Sequence, residues 1–287
     1  MFAIFKRELK AYFLTPIGYI FMGLFLLLTG IFFFFDNIIG QSSRYIGFLG
    51  SVLLLVTFIL PLLTMRLFAE EKRQKTDQLL LTSPVSITGI VCGKYFAAMA
   101  VYCGTLLVTV SYAVVVAVYG DLETWGTIGS YIGFILLGAC YISIGLFVSA
   151  LTENQLIAAL VTFFVLLFIW LIDPISQAIP SDTRTGVISA VVLLAALLLF
   201  IFLSTRNWII VLAAALLGAS IIGGLYLFDR SLFFGFIQRV IGWFSLNRRY
   251  QPFTIGLLRF DYLLYYASFS GLFLFLTVRL IEKRRWN

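Results

Sequence analysis

The residue types that carry most enzymatic chemistry are scarce in this chain. Histidine is absent, and Cys92, Cys103 and Cys140 lie in or beside apolar runs at spacings that match no metal site. No stretch matches the phosphate-binding motif G-x-x-x-x-G-K-[ST], and no nucleophile lies beside a base. The sequence therefore predicts no enzymatic activity and no metal or cofactor site. Any nucleotide that drives its function is expected to bind to another polypeptide.

The composition indicates an integral membrane protein. Of 287 residues, 62% are hydrophobic and 11% are charged, whereas soluble domains average about 45–50% and about 25%. A soluble fold has too little interior to bury so much apolar surface. The composition also excludes a disordered chain, a disulfide-stabilised scaffold and a free nucleic-acid-binding domain.

Eight apolar runs approach or exceed the length that a helix needs to cross a bilayer, which is about 20 residues. They are residues 17–35, 46–67, 95–119, 127–151, 155–172, 186–204, 208–228 and 262–281. The sequence thus predicts an all-α polytopic membrane protein with a single transmembrane domain, residues 1–287. The sixth and seventh runs, separated only by residues 205–207, form either a spanning hairpin or a partly re-entrant one.

The placement of Lys and Arg predicts the orientation. With the N-terminus inside, 13 of the 20 Lys and Arg residues fall on the inner side and 7 on the outer side, and every lysine is inside. Both termini are therefore expected in the cytoplasm. The net charge of +7 follows mostly from this bias and requires no nucleic-acid partner.

The predicted membrane interior is nearly free of charge. Between residues 95 and 172 the ionisable acids and bases are Asp121, Glu123 and Glu153, all at turns between apolar runs. Asp173 precedes Pro174, a pair that predicts the end of a helix. Because ion-coupled carriers usually keep carboxylates at mid-membrane, this pattern disfavours an ion-coupled carrier.

Residues 1–13 predict an amphipathic helix that lies in the inner membrane interface, with an ordinary charged flank as the alternative. Its apolar residues recur at helical spacing between charged ones and are Phe2, Phe5, Leu9, Tyr12 and Phe13. Thr15 and Pro16 are expected to end this helix before the first span.

Residues 66–94 form the longest inner loop. Its first part, 69–78, is charged and rich in helix formers, residues 79–81 are three consecutive leucines, and Pro84 follows. A short helix with an apolar tip suits docking into a groove of another protein. A solvated connector is the alternative, but three leucines on the cytoplasmic side favour docking.

Three stretches of the sequence resemble type-2 ABC exporter permeases, most closely their gliding-motility branch. The runs Phe68-Ala-Glu-Glu-Lys-Arg and Thr76-Asp-Gln-Leu-Leu-Leu-Thr-Ser-Pro resemble the loop after the second span of that family. Residues 5–19 resemble its interfacial elbow helix, and residues 262–286 resemble its last span and tail. Members typically have six spans, so the two apolar runs within 177–228 are expected to be an extra helical hairpin on the six-helix core.

By this resemblance, residues 66–94 are a cytoplasmic coupling loop. Its 72–83 segment is similar to the coupling helix that seats in a separate ATPase subunit, where ATP and Mg²⁺ bind. The resemblance assigns polar contacts to Glu70, Glu71, Lys72 and Arg73, the inserted tip to Thr76, Asp77, Leu79, Leu80 and Leu81, and the hinge to Pro84.

Residues 229–261 are too apolar for open water and predict helices in the outer interface, similar to the family's re-entrant pair. An outer basic cluster is predicted from Arg239, Arg248, Arg249 and Arg259. These arginines are expected to bind the phosphates of membrane lipids or, as the alternative, an anionic cargo.

The resemblance implies the permease subunit of an ATP-driven exporter in the bacterial plasma membrane. Its expected partners are two ATPase subunits and either a second permease copy or a paralogous membrane subunit with a large outer domain. The alternative is a membrane anchor or mechanical transmission subunit that acts on an extracytoplasmic machine without moving a solute.

Overall fold

Helices make up the regular structure of this protein. The computed structural model describes residues 1–42, 45–76 and 85–286, and none of these residues lies in a strand. The helices are α1 (Phe2–Leu14), α2 (Pro16–Phe33), α3 (Tyr45–Thr64), α4 (Ala69–Arg73), α5 (Ile87–Tyr119), α6 (Thr124–Leu151), α7 (Gln155–Ala178), α8 (Thr183–Thr205), α9 (Trp208–Phe228), α10 (Phe236–Phe244), α11 (Leu246–Thr254) and α12 (Phe260–Trp286). A π-helical turn, Phe34–Ile39, extends α2, and a 3₁₀ turn, Arg230–Phe233, precedes α10.

Within the described ranges, eight helical segments are long and apolar enough to cross a membrane. They correspond to the eight predicted runs, which confirms the prediction of an all-α polytopic membrane protein. The N-terminal helix is also confirmed, since α1 ends at Leu14 and Pro16 begins α2, a position where its missing N–H costs no helical hydrogen bond. Its location in the membrane interface stays a prediction.

One predicted helix end is wrong. The pair Asp173-Pro174 predicted a stop, but α7 continues through Pro174 to Ala178. Proline inside a membrane helix is tolerated where local adjustment satisfies the backbone group that it leaves free. Asp173 does not end the helix, and its carboxylate accepts a hydrogen bond from Ser245 Oγ at 2.7 Å.

The chain divides into two compact units. Unit 1 comprises Met1–Trp170 and Arg249–Asn287, and unit 2 comprises Leu171–Arg248.

Helix α6 is the centre of unit 1. It is the most buried of the spans and contacts α3, α5 and α12. Glycines on α6 make these close contacts possible, since Gly145 faces Thr64 of α3 and Gly138 faces the ring of Tyr102 on α5. Small residues therefore determine which helices can pack against α6.

Two tyrosines on one face of α5 fasten it to α6. Tyr102 donates a hydrogen bond to the carbonyl oxygen of Phe134 at 3.0 Å, and Tyr95 donates to that of Ala139 at 3.3 Å. The two tyrosines are seven residues apart, which places them on the same side of the helix. Each of these buried tyrosines thereby has a hydrogen-bond partner for its hydroxyl, without which burial would cost free energy.

Helices α8 and α9 of unit 2 pair as a hairpin. Arg206 turns the chain in the left-handed conformation, and the side chain of Asn207 caps α9 by accepting a hydrogen bond from the Ile209 N–H at 2.9 Å. Leu194 packs against Gly218, but no residue of α9 is buried in the chain. The hairpin therefore presents an apolar surface to whatever surrounds it, as a membrane helix does to lipid.

We predict that Gly138→Ala destabilises unit 1, because the added methyl group would collide with the ring of Tyr102 and displace its hydrogen bond to Phe134. Overpacking of this kind costs about 1–3 kcal/mol. The matched control is Gly271→Ala on α12, where a Cβ meets nothing within 4 Å. The measurement is thermal unfolding of each purified variant in detergent, and equal melting temperatures for the two variants would contradict the packing assignment.

Candidate functional site

Helix α1 presents a mixed face to the rest of unit 1. Ile4, Glu8 and Tyr12, spaced four residues apart, are its buried side chains. Phe2 and Leu14 are exposed, as expected for residues that face lipid. Ile4 packs on Gly93 of α5, where a Cβ would lie 3.0 Å from its Cγ2 atom. α1 therefore carries a carboxylate, Glu8, into its contact with α5.

A network of four charged side chains joins α1, α4 and α5. Lys94 Nζ lies 3.1 Å from Glu8 Oε1 and 3.0 Å from Glu71 Oε1, and Arg7 Nη2 lies 2.7 Å from each of the same two oxygens. The Lys94 side chain is only 1% exposed, whereas Arg7 is 52% exposed. Two carboxylates balance two cations, so the buried charge is neutralised. We call Arg7, Glu8, Glu71 and Lys94 the junction.

The junction lowers the pKa of one of its two acids, Glu8. Burial raises the pKa of Glu8, but the charges of Lys94 and Arg7 and their hydrogen bonds outweigh burial. The pKa of the Glu8 carboxyl therefore lies below its ordinary value, and Glu8 is ionised at neutral pH.

A second set of contacts holds the C-terminal end of α1 to the end of α3. Tyr12 Oη donates a hydrogen bond to the carbonyl oxygen of Leu63 at 2.7 Å. Arg66 donates to Thr15 Oγ1 at 2.5 Å, pairs with Glu70 at 3.3 Å, and places its guanidinium 5.3 Å from the centroid of the Tyr12 ring. Arg66 thereby links α1 to α4 independently of the junction.

The chain between α3 and α4 is also fixed to the end of α6. Ser149 Oγ accepts hydrogen bonds from the Phe68 and Ala69 N–H groups at 3.0 and 3.1 Å and donates to the carbonyl oxygen of Met65 at 3.0 Å. Buried Lys72 donates to the carbonyl oxygen of Ala150. The base of the loop is thus attached to α1, α5 and α6.

Helix α4 is shorter than the sequence predicted. Helix formers extend to residue 78, but α4 ends at Arg73. Lys75 adopts a left-handed conformation, and its N–H bonds to Lys72 O while that of Thr76 bonds to Glu71 O, which is the Schellman arrangement. Backbone geometry after Arg73 therefore ends the helix despite favourable side chains.

The structure places the predicted coupling residues in two groups. Glu70, Glu71 and Lys72 make contacts within the chain, whereas Arg73 and Thr76 lie at the surface. The other predicted residues, Asp77, Leu79, Leu80, Leu81 and Pro84, lie outside the described residues. Contact of any of these residues with an ATPase stays a prediction.

Sequence reasoning missed the role of Lys94. It stands among apolar residues eight positions into α5, and a lysine buried in such a run needs a partner. That signal was available, but the partners of Lys94 are distant in the sequence. Glu8 is 86 residues away and Glu71 is 23 residues away, and such separations do not identify a partner.

The four arginines of the predicted outer basic cluster are each engaged differently. Arg239 donates to the carbonyl oxygens of Leu232 and Phe234, and Gly242 leaves room for the guanidinium of Arg248. Arg239 and Arg248 both belong to unit 2.

In unit 1, the guanidinium of Arg249 lies 3.6 Å from the ring centroid of Tyr265, and Arg259 pairs with Asp261 at 2.9 Å. The arginines of the predicted cluster are thus divided between the two units. Binding of lipid phosphate or anionic cargo by these residues stays a prediction.

We predict that Lys94→Met destabilises the chain by about 3 kcal/mol, because it leaves two carboxylates facing each other with only the exposed Arg7 to neutralise them. The control is Lys10→Met, which removes an exposed lysine from α1. Thermal unfolding of the purified variants in detergent measures the difference. A Lys94→Met protein as stable as the control would show that the junction contributes nothing to the fold.

The junction also predicts a pH dependence. Because the pKa of Glu8 is lower in the folded chain, its contribution to stability is full above the unfolded value of about 4.5 and is lost as pH falls through the folded value. Glu8→Gln should therefore flatten the fall of the melting temperature below pH 4.5, whereas the exposed control Glu153→Gln should not. Parallel curves for wild type and Glu8→Gln would contradict the assignment.

Comparison with known proteins identifies the family. The family described as ABC-2 family transporter protein matches residues 30–184, just over half of the chain. The match begins in α2 and includes α3 to α7, hence α4 and two members of the junction. No curated protein matches the chain. Members of this family are membrane components that work with an ABC ATPase and are not themselves catalytic. The chain therefore belongs to the ABC-2 family of transporter proteins and is a permease component of an ABC transporter.

Proposed function

We propose that this protein is the permease subunit of an ATP-driven exporter, closest to the gliding-motility branch, and that its 66–94 loop couples it to the ATPase. The observation that supports this most strongly is the attachment of the loop base to three helices. Through the junction, Ser149 and Lys72, a displacement of α4 is shared by α1, α5 and α6. A coupling loop needs such attachment, whereas a solvated connector does not.

The physical basis of coupling is rigidity. Two ATPase subunits that close on ATP move the segments seated in them, and packed helices answer such movement as levers. Because α4 is only five residues long and ends in a Schellman motif, the loop beyond it begins from a fixed position. The proposed tip, residues 76–81, would then insert into the ATPase and deliver its motion to α4.

The proposed orientation puts both termini and the 66–94 loop in the cytoplasm of a bacterial cell. This orientation rests on the Lys and Arg bias of the sequence and puts Lys72, Lys94 and Arg66 on the inner side. The proposed partners are an ABC ATPase together with a second permease copy or a paralogous membrane subunit with a large outer domain. Lipid contacts the exposed apolar surfaces of unit 2.

A membrane anchor that transmits force to an extracytoplasmic machine is the second candidate, and it would use the same loop. The absence of any buried residue in α9 favours it, because an added hairpin offers attachment area to another membrane protein. ATPase activity that rises with a candidate cargo would support export. Activity that depends on assembly with an outer domain would support the anchor.

We predict that changing Leu79, Leu80 and Leu81 together to Asp abolishes recovery of an ABC ATPase with the tagged chain, because charges replace the apolar tip. The measurement is affinity purification from the native host in mild detergent, with identification of each stoichiometric companion. The expected wild-type result is an ATPase in stoichiometric amount.

The matched control changes Thr152, Glu153 and Asn154, in the short loop between α6 and α7, each to Asp. This variant should retain the ATPase. Retention by the leucine variant as well would place ATPase contact elsewhere. Purification of the wild-type chain without any ATPase would contradict the proposed function itself.

A further inference from the structure

A half-open cleft of about 630 Å³ lies at the end of unit 1 that is remote from α1. It is bounded by the π-helical turn after α2 and by the C-terminal turn of α5, a helix about 50 Å long that begins at the junction. Phe33, Ile38 and Val115 provide apolar walls, and Asn37 and Asp121 provide polar groups. The cleft is therefore amphiphilic and lies far from the coupling loop.

Asn37 is an unusual residue to find in this wall. It is 9% exposed, and its side-chain amide donates to the carbonyl oxygen of Ser42 at 2.7 Å. Its Oδ1 atom is buried and has no hydrogen-bond partner. A buried acceptor without a donor costs free energy, and such a group in a native structure calls for an explanation such as a bound water or ion. The π-helical turn that places Asn37 here is a feature often found at functional sites.

Among the described residues that line this region, carboxylates supply the charge. Asp121 lines the first cleft and also a second one of about 600 Å³, which Glu123 lines as well. Within the described part of the chain, neither carboxylate takes part in an ion pair. Asp121, which is negatively charged, and Asn37, whose amide oxygen has no partner, thus line the same cleft. Together they suit a cation that donates hydrogen bonds.

A metal ion fits this site poorly. Among the described residues, no three Asp, Glu, Cys or His side chains come close enough to hold one. The apolar walls also have no role in metal binding, since hard cations take oxygen ligands on most sides. An ammonium group on an apolar body uses both the acceptors and the walls.

We propose that this cleft binds an amphiphile with a primary ammonium headgroup, whose N–H groups bond to Asn37 Oδ1 and Asp121 while its apolar part packs on Phe33, Ile38 and Val115. An aminophospholipid of the bilayer and a free alkylamine both have this chemistry. The site is separate from coupling, and its test requires no ATPase.

The experiment measures binding of octylamine to the purified chain in uncharged detergent, from the rise in melting temperature with ligand concentration. At neutral pH the amine is protonated. Octanol and octyltrimethylammonium are the matched ligands: the first lacks charge, and the second lacks N–H donors. We expect octylamine to bind about tenfold more tightly than either one, a ratio that one charged hydrogen bond supplies.

Two variants assign the effect to the cleft. Asp121→Asn should weaken octylamine binding about tenfold, and Asn37→Leu should remove the preference over octyltrimethylammonium. The control is Asp36→Asn, an exposed acid of the same π-helical turn that does not line either cleft. Should octanol bind as tightly as octylamine, or should Asp36→Asn and Asp121→Asn behave alike, the proposal would be overturned.

Nanodiscs distinguish the two sources of the headgroup. Replacing phosphatidylcholine by phosphatidylethanolamine at constant anionic lipid should raise the melting temperature of wild type, but not of Asp121→Asn, if the occupant is a lipid. A response to octylamine alone would assign the site to a free amine. Absence of both responses would contradict the ammonium site.

Discussion

The burial of one positive charge governs how the helices of unit 1 meet. Lys94 is 1% exposed, and a lysine at that depth is stable only beside carboxylates. The two that serve it come from different parts of the chain, Glu8 of α1 and Glu71 of α4, and Arg7 neutralises the second negative charge. Satisfying Lys94 therefore forces the N-terminal helix and the loop after the second span to the same place.

The helices around the junction are packed tightly on one another. Glycines on α6 admit Thr64 and the ring of Tyr102, so α3 and α5 pack tightly on a central helix. Ser149 and Lys72 then attach the base of the loop to the end of α6. Under the proposed function, a loop fixed to three helices would carry motion from the ATPase partner into the membrane domain.

The sequence predicted the large features because they depend on composition and length. Eight apolar runs and the break at Thr15-Pro16 needed no tertiary information, and the structure confirms them. The sequence did not predict that Tyr12 faces the protein while Phe2 is exposed, because helical spacing alone assigns both residues to the same apolar set. The junction was missed for a similar reason: its pairs are distant in sequence, and only packing brings them together. The helix end predicted at Asp173-Pro174 was wrong because a membrane helix tolerates an internal proline.

Hydrogen exchange of the assembled complex tests the central claim most directly. With ATP bound to the partner, protection should change together in residues 69–76 and in α1, because the junction joins them. In Glu71→Gln, which keeps the shape of the side chain but removes its charge, we expect the change to persist in 69–76 and to weaken in the part of α1 around Glu8. The C-terminal end of α1 stays linked to α4 through Arg66. A wild-type α1 that does not respond to nucleotide, or an α1 that responds equally in the variant, would contradict transmission through the junction.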